Sequence, residues 1–334
     1  MQKLRKILKS QKFAIIVIII ALVCVFSFIN PTFVRLDNLL DLMKSYVVLG
    51  IVSCGMFVVI VSGGIDISVG AIISASACLA GTFMVRVCNN VVLGFVVATI
   101  VGTLLGAING LLVSVVKIPP LIATLGTMSV INGVMIYSTN GAWITGLPDA
   151  LVSFGQKRLF QIQVTDTITT GIPIQVLFLI AIAMLTWFLM KYTLFGRGVY
   201  ALGGDEASAQ RIGFNTKRIQ FWIYVYLGFV SGLASMVHTS VMRQVDPNAF
   251  KGYEMTVLSA VVIGGTNIAG GYGTVSGVIL GVVFLAIVNN GLVLSRVSSY
   301  HQSIIVGLMM LLAISFDAIR KKRVESNRSR IDVE

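Results

Sequence analysis

The stretch MTVLSAVVIGGTNIAGGYGTVSGVILGVVFLAIVNNGLVLS, residues 255–295, runs for 41 positions without a charged side chain. A helix needs roughly 20 apolar residues to cross the hydrocarbon core of a bilayer, so this run holds enough for two crossings. Gly264, Gly265, Gly270, Gly271 and Gly273 divide it, and glycine permits the sharp turn that joins two antiparallel helices. Working outward, further uncharged runs cover Ile67–Val85, Val87–Val116, Thr167–Met190, Ile219–Met242 and Val297–Phe316. Each meets or approaches the same length. Composition agrees: 56% of the chain is hydrophobic and 11% charged, where a soluble domain carries about 25% charge. The chain reads as an all-α polytopic membrane protein, a single transmembrane domain over residues 1–334.

Ten spans fit the pattern: 13–29, 41–62, 68–86, 91–115, 120–138, 172–190, 219–240, 253–267, 273–294 and 302–318. Lys3, Arg5, Lys6, Lys9 and Lys12 precede the apolar run Phe13–Ile29. That layout resembles a signal peptide, but Phe28-Ile29-Asn30-Pro31 is no small-residue cleavage site, so the first span reads as retained. A cytoplasmic N-terminus puts Lys117, the loop 191–218, the turn 268–272 and the basic tail 319–334 on the same side. That side then holds most of the 25 Lys and Arg residues, as the positive-inside rule requires. The formal charge of +12 is therefore a topology signal and does not mark a nucleic-acid partner. The polar connection 140–171 falls outside the cell.

Within the cytoplasmic loop 191–218, residues 205–213 predict a short helix with both ends specified. Asp205 suits the cap, and Glu206 places negative charge in the first turn. Ala207, Ala209 and Gln210 tolerate a helix, and Gly213 suits its left-handed end. A helix over Asp205–Ile212 is roughly 12 Å long. That is too short to stand alone, so it must rest on a partner.

The chain carries no visible means of powering itself. Gly264–Gly273 is glycine-rich but lacks the Lys-Ser/Thr of a phosphate loop, and reads as a turn. None of the 13 acids falls at the middle of a predicted span, whereas a proton- or ion-coupled carrier needs ionisable groups there. His238 and His301 stand singly and read as satisfied polar groups. Cys24, Cys54, Cys78 and Cys88 show no C-x-x-C spacing and read as small apolar fillers. Without a nucleophile–base or metal constellation, an embedded enzyme is disfavoured and no cofactor is expected.

What the spans offer is neutral hydrogen-bonding groups: Asn109, Asn132, Ser129, Thr124, Asn289, Asn290 and Gln302. Such groups either line a path for a neutral, hydroxyl-rich solute or bond helix to helix. Asp66, in Ser62-Gly63-Gly64-Ile65-Asp66-Ile67-Ser68-Val69-Gly70, admits two readings as well: a carboxylate on a pathway, or the cap of the following helix at a tight inner turn. The candidate pathway residues are thus Asp66, Asn109, Asn132, Asn290 and Gln302.

Stripes of small residues at Gly102, Gly106 and Gly110, at Gly228 and Gly232, and at Gly273, Gly277 and Gly281 let helix backbones approach closely. They read as packing inside one bundle, not as a dedicated dimer face. Asn109-Gly110-Leu111 also aligns with Asn290-Gly291-Leu292, and at the same offset Ser114 pairs with Ser295, Gly126 with Gly307 and Met128 with Met309. The two segments run oppositely on the span map, the pattern of a weak inverted repeat.

Together these motifs resemble the membrane-spanning permease subunit of bacterial ABC importers for monosaccharides, the family with members for ribose, xylose, arabinose and galactofuranose. The resemblance covers nearly the whole chain from Asn30-Pro31-x-Phe33 onward. Its most specific marks are residues 62–70, 117–126 and 195–213, together with 260–265 and 270–273. It implies a transport subunit of the bacterial inner membrane that works by alternating access. It also implies a cytoplasmic ABC ATPase subunit, an extracytoplasmic sugar-binding protein and a second permease copy or paralogue. Asp205, Glu206, Ala207, Arg211 and Gly213 match the family's ATPase-coupling segment. The 140–171 loop matches no particular sugar specificity. Two rivals stay open: the same architecture carrying a nucleoside, a sugar-derived signal or an amino acid, and an autonomous facilitator or channel. A capped cytoplasmic helix has no use in the second.

Overall fold

The computed structural model describes residues 11–165 and 168–298, with 300–302, 304–305, 307–308 and 311 beyond them. The helices, in chain order, are α1 (Gln11–Ile29), α2 (Leu36–Val61), α3 (Val69–Arg86), α4 (Val91–Ser114), α5 (Pro120–Thr139) and α6 (Asp149–Gln156). Then follow α7 (Gln175–Tyr192), α8 (Leu194–Gly204), α9 (Glu206–Arg211), α10 (Thr216–Met242), α11 (Tyr253–Ile263) and α12 (Val275–Leu294). Among the described residues, α1–α5, α7, α10 and α12 are long and apolar enough to cross a membrane. Most of the expected span 302–318 and all of the tail 319–334 lie outside the described residues.

The expected span 253–267 is corrected. α11 has 11 residues, about 16 Å of helix, which is roughly half a bilayer core. Asp246, Pro247, Asn248 and Gly252 explain the shortfall. Asp246 Oδ1 accepts from the Asn248 amide at 2.8 Å, and the Lys251 amide donates to the Asn248 carbonyl at 3.2 Å. Gly252 then takes φ +78, a conformation side-chain-bearing residues avoid. The chain turns before it can coil, and the segment becomes part turn and part helix.

α2 is the buried axis of the bundle. It meets α7, α10, α11 and α12, and Ile51, Val52, Cys54, Met56 and Phe57 along it are fully enclosed. The four cysteines are free, with Cys54 and Cys78 buried as apolar fillers. The most extensive helix packing joins α4 to α10, where the predicted glycine stripes interlock. A Cβ on Gly106 would lie 2.8 Å from the Gly228 Cα, and one on Gly102 would lie 2.7 Å from the Gly232 nitrogen. Gly281 likewise meets Ala260 and Gly264, seating α12 on α11. The apolar residues Ile16, Val17, Ile18 and Ile20 of α1, and Val130 and Val134 of α5, stay exposed, as lipid- or partner-facing surfaces do.

The two ends of the bundle differ. At the end assigned to the outside, the 140–171 connection is more ordered than a polar loop. It forms α6 and an antiparallel hairpin, β1 (Arg158–Thr165) with β2 (Ile168–Pro173), Arg158 opposite Pro173. Arg158 reaches Asp41 at 3.0 Å, Ile144 bridges Val245, and Phe95, Phe154 and Phe178 cluster with ring centroids 5.6–6.0 Å apart. At the opposite end, Lys191 lies 5.0 Å over the Trp187 ring, an aromatic–cation anchor suited to a membrane interface. α4 reaches this end at Ser114 while α12 leaves it at Val275, so the two repeat-like helices do run oppositely.

Candidate functional site

The polar loop at the inner end folds into two short helices. Thr193 caps α8 by accepting from the Gly196 amide at 3.1 Å. Asp205 caps α9, its Oδ1 accepting from the Ser208 amide at 2.7 Å, and those hydrogen bonds from Ser208 hold its carboxyl below the ordinary range. α9 has six helical residues, shorter than the expected helix through Ile212, because Ile212 already leaves helical geometry. Gly213 at φ +94 then reverses the chain, and the Phe214 amide closes back on the Ala209 carbonyl at 3.0 Å. Ala209 is buried, while Ala207, Ser208, Arg211 and Ile212 face solvent. Lys117, from the neighbouring inner loop, stands 3.6 Å from Glu206. Ile212, 71% exposed, was not singled out by sequence.

This hairpin is joined to the bundle through backbone. Gly203 of α8 lies directly against the carbonyl of Val61, the last residue of α2. A Cβ there would also come within 2.6 Å of the Gly271 nitrogen. The Gly271 amide donates to that same Val61 carbonyl at 2.8 Å. Tyr200 adds a hydrogen bond to the Gly273 carbonyl at 2.9 Å. One knot therefore gathers α8, the end of α2 and the turn between α11 and α12.

From Val61 the chain enters the turn that holds Asp66. This carboxylate is buried and acts as a clasp. Oδ1 accepts from the Ser68 amide at 2.7 Å and from the Ser68 hydroxyl at 2.6 Å. Oδ2 accepts from the Asn109 amide at 3.2 Å, and the same Asn109 nitrogen donates to Ser68 Oγ at 2.8 Å. The Ile67 amide donates to Thr124 Oγ1 at 3.2 Å, tying the turn to α5. Burial pushes the Asp66 carboxyl up to about 6, against these hydrogen bonds. The geometry is a cross-link of the 66–68 turn to α4 and α5, with Ser68 at the N-cap of α3.

Above the turn lies a cavity of about 280 Å³, lined by Gly70, Ala71 and Ser74 of α3, Met128 and Asn132 of α5, and residues 250–252 and 254. Gly70 leaves room for the Phe250 carbonyl, which lies directly against it. The depth follows from the helices. Gly70 is about 24 Å from the outer end of α3, and Ala260, further along α11, packs on Gly281 near the inner end of α12. Residues 250–254 thus lie between the two ends of the bundle. Of the candidate pathway residues, the cavity gathers only Asn132. Asp66 and Asn109 form the clasp. Asn290 exchanges hydrogen bonds with Asn38 at 3.0 and 3.1 Å, and Gln302 donates to the Val297 carbonyl at 2.7 Å.

Lys251 and Glu254, which line the cavity, were missed. The signal was present in sequence. Turn formers at Asp246, Pro247, Asn248 and Gly252, followed by an apolar stretch that stops at Gly264 and Gly265, mark a discontinuous span. Such breaks commonly flank transport sites.

A bundle of apolar crossings, with a short helix beside a cavity that holds Asn132, Lys251 and Glu254, and an inner hairpin knotted to both, is the build of a solute permease. The chain belongs to the family described as branched-chain amino acid transport system, permease component, whose model matches residues 38–314. It is 34% identical over 313 residues to the ribose import permease protein of Haemophilus influenzae, covering 94% of each chain. It is 37% identical over 303 residues to the ribose import permease protein of Bacillus subtilis, covering 90% of each. The D-allose transport system permease protein of Escherichia coli is 30% identical over 313 residues, 93% of each. No solved structure matches the chain. The protein is therefore an ABC-importer permease of the bacterial inner membrane and not itself an enzyme. Its family implies a separate ATPase subunit and a periplasmic binding protein.

Proposed function

We propose that this chain forms the membrane pathway for a neutral monosaccharide and that a separate ATPase drives it through α9. The observation that carries this reading is the backbone knot of Gly203, Val61 and Gly271. Val61 leads through the Asp66 turn to α3, and Gly271 leads back to α11. These are two walls of the cavity. A displacement of the α8–α9 hairpin is thereby passed to both walls as a rigid-body motion, which is what biasing inward- and outward-open states requires. Asp205, Glu206, Ala207, Arg211 and Gly213 build the docking element: Asp205 and Gly213 set its ends, and Glu206, Ala207 and Arg211 present its surface.

The solute class is proposed from the relatives named for ribose and D-allose import and from the cavity, which is of the size that holds a small molecule. A second permease copy or paralogue would cover the exposed face of α5 and complete the path. The sugar-binding protein would deliver solute at the end carrying α6 and the hairpin. The test is Glu206→Arg combined with Ala207→Arg, read by sugar uptake and by recovery of the ATPase with the permease. Uptake should be abolished while the permease still inserts. Full uptake with the ATPase still bound would sink the mechanism.

A further inference from the structure

We infer that Glu254, seconded by Asn132, is a specificity-determining contact for the sugar's hydroxyl groups in mid-passage, at the tip of the broken helix. The inference rests on the reading of the chain as a monosaccharide permease. Three observations carry it. First, Glu254 is a half-buried carboxylate beside Gly70 within a bundle of apolar crossings, where an ionisable side chain is costly and is usually retained for function. Second, no hydrogen bond or ion pair from the side chains of Glu254, Lys251 or Asn132 exists among the described residues, although all three line one cavity. Other polar side chains of the bundle pair with one another: Asn38 with Asn290, Asn109 with Asp66, Thr186 with Tyr226. Third, the approach is built. Gly70 yields its side-chain space to the Phe250 carbonyl, and the Glu254 carboxylate lies 3.3 Å from where its Cβ would stand, so α3 holds the tip in place.

The chemistry favours a polyol. A carboxylate has two oxygens and accepts from two neighbouring hydroxyls. The Asn132 amide both donates and accepts, and the Lys251 ammonium only donates. Vicinal hydroxyls of a sugar offer donors and acceptors at matching spacing, whereas an anionic solute would meet repulsion from Glu254. Few contacts on opposite walls also suit a site that must release its ligand when α3 and α11 part.

The experiment uses the complete transporter in proteoliposomes and the labelled monosaccharide, from a panel of pentoses and hexoses, that wild type carries fastest. Rates for that sugar and its monodeoxy analogues are measured with the binding protein saturated. The variant-to-wild-type ratio, analogue by analogue, removes the binding protein's own preference. Glu254→Gln should slow the parent sugar on the order of tenfold, as expected for a lost charged hydrogen bond, while barely changing an analogue lacking the contacted hydroxyl. Glu254→Asp should recover part of the rate. Asn132→Ala, which leaves α11 untouched, should level a different hydroxyl and covers the case in which Glu254→Gln does not assemble. An equal slowing of every analogue would mean that Glu254 only steadies the first turn of α11, and would overturn the inference, as would unchanged rates. Wild type carrying no monosaccharide at all would instead overturn the sugar reading itself.

Discussion

Alanine at position 203 puts one methyl group into the knot that links the handle to the bundle. The added Cβ meets the Val61 carbonyl and lies 2.6 Å from the Gly271 nitrogen. Both are backbone atoms, joined to each other by a 2.8 Å hydrogen bond, and neither can swing aside as a side-chain tip would. Forcing a methyl into such a contact costs about 1–3 kcal/mol, and losing the hydrogen bond adds about 1 kcal/mol. A total near 3 kcal/mol shifts the balance between seated and displaced hairpin on the order of a hundredfold. Gly203→Ala should therefore leave ATP hydrolysis running while sugar transported per ATP collapses. The neighbouring residue is the control. A Cβ on Gly204 meets nothing within 4 Å, so Gly204→Ala should be neutral or slightly stabilising, by about 0.5–1 kcal/mol, as alanine replaces glycine in a helix. The assay is uptake and phosphate release on the same proteoliposomes. Wild-type coupling in Gly203→Ala, or equal damage from Gly204→Ala, would refute the reasoning.

Further outcomes follow from the packing and from the buried carboxylate. Gly106→Ala drives a methyl to 2.8 Å from the Gly228 Cα where α4 packs on α10. It should cost about 1–3 kcal/mol, read as a lower thermal midpoint in detergent. Asp66 is raised from 3.8 to about 6 by burial. A raised carboxyl contributes stability that is full below its unfolded value and is lost as pH rises through the folded one. The thermal midpoint should thus fall between pH 4 and pH 7, by an amount on the order of 2–3 kcal/mol of stability. Asp66→Asn, which keeps an acceptor for Ser68 and cannot ionise, should flatten that slope. An unchanged slope would assign it to other groups.

The long spans were legible because crossing a bilayer demands apolar length, and length is written directly in the sequence. The glycine stripes were legible too, since a missing Cβ at every fourth position announces close approach. Their partners were not: that Gly106 meets Gly228, and Gly281 meets Ala260, depends on which helices become neighbours. The cap of α9 at Asp205 was readable for the same local reason as any N-cap, whereas the length of α9 was overestimated by propensity alone. Asn109, Asn132, Asn290 and Gln302 looked alike as neutral groups in apolar runs. Folding sent one into the Asp66 clasp, two into unrelated hydrogen bonds, and only Asn132 to the cavity.

By itself the sequence determined the membrane class, eight of the nine spans expected among the described residues, and the Asp205 cap of α9. Each of these follows from local length, charge or backbone preference. Only the tertiary structure decided that the span beginning near Tyr253 is cut short, that Glu254 stands beside Gly70 of α3, and that the α8–α9 hairpin, α2 and the turn after α11 meet at a single point. Those outcomes turn on contacts between residues far apart in the chain. Val61, Gly203 and Gly271 come together through close backbone packing, for which a one-dimensional pattern carries no coordinate.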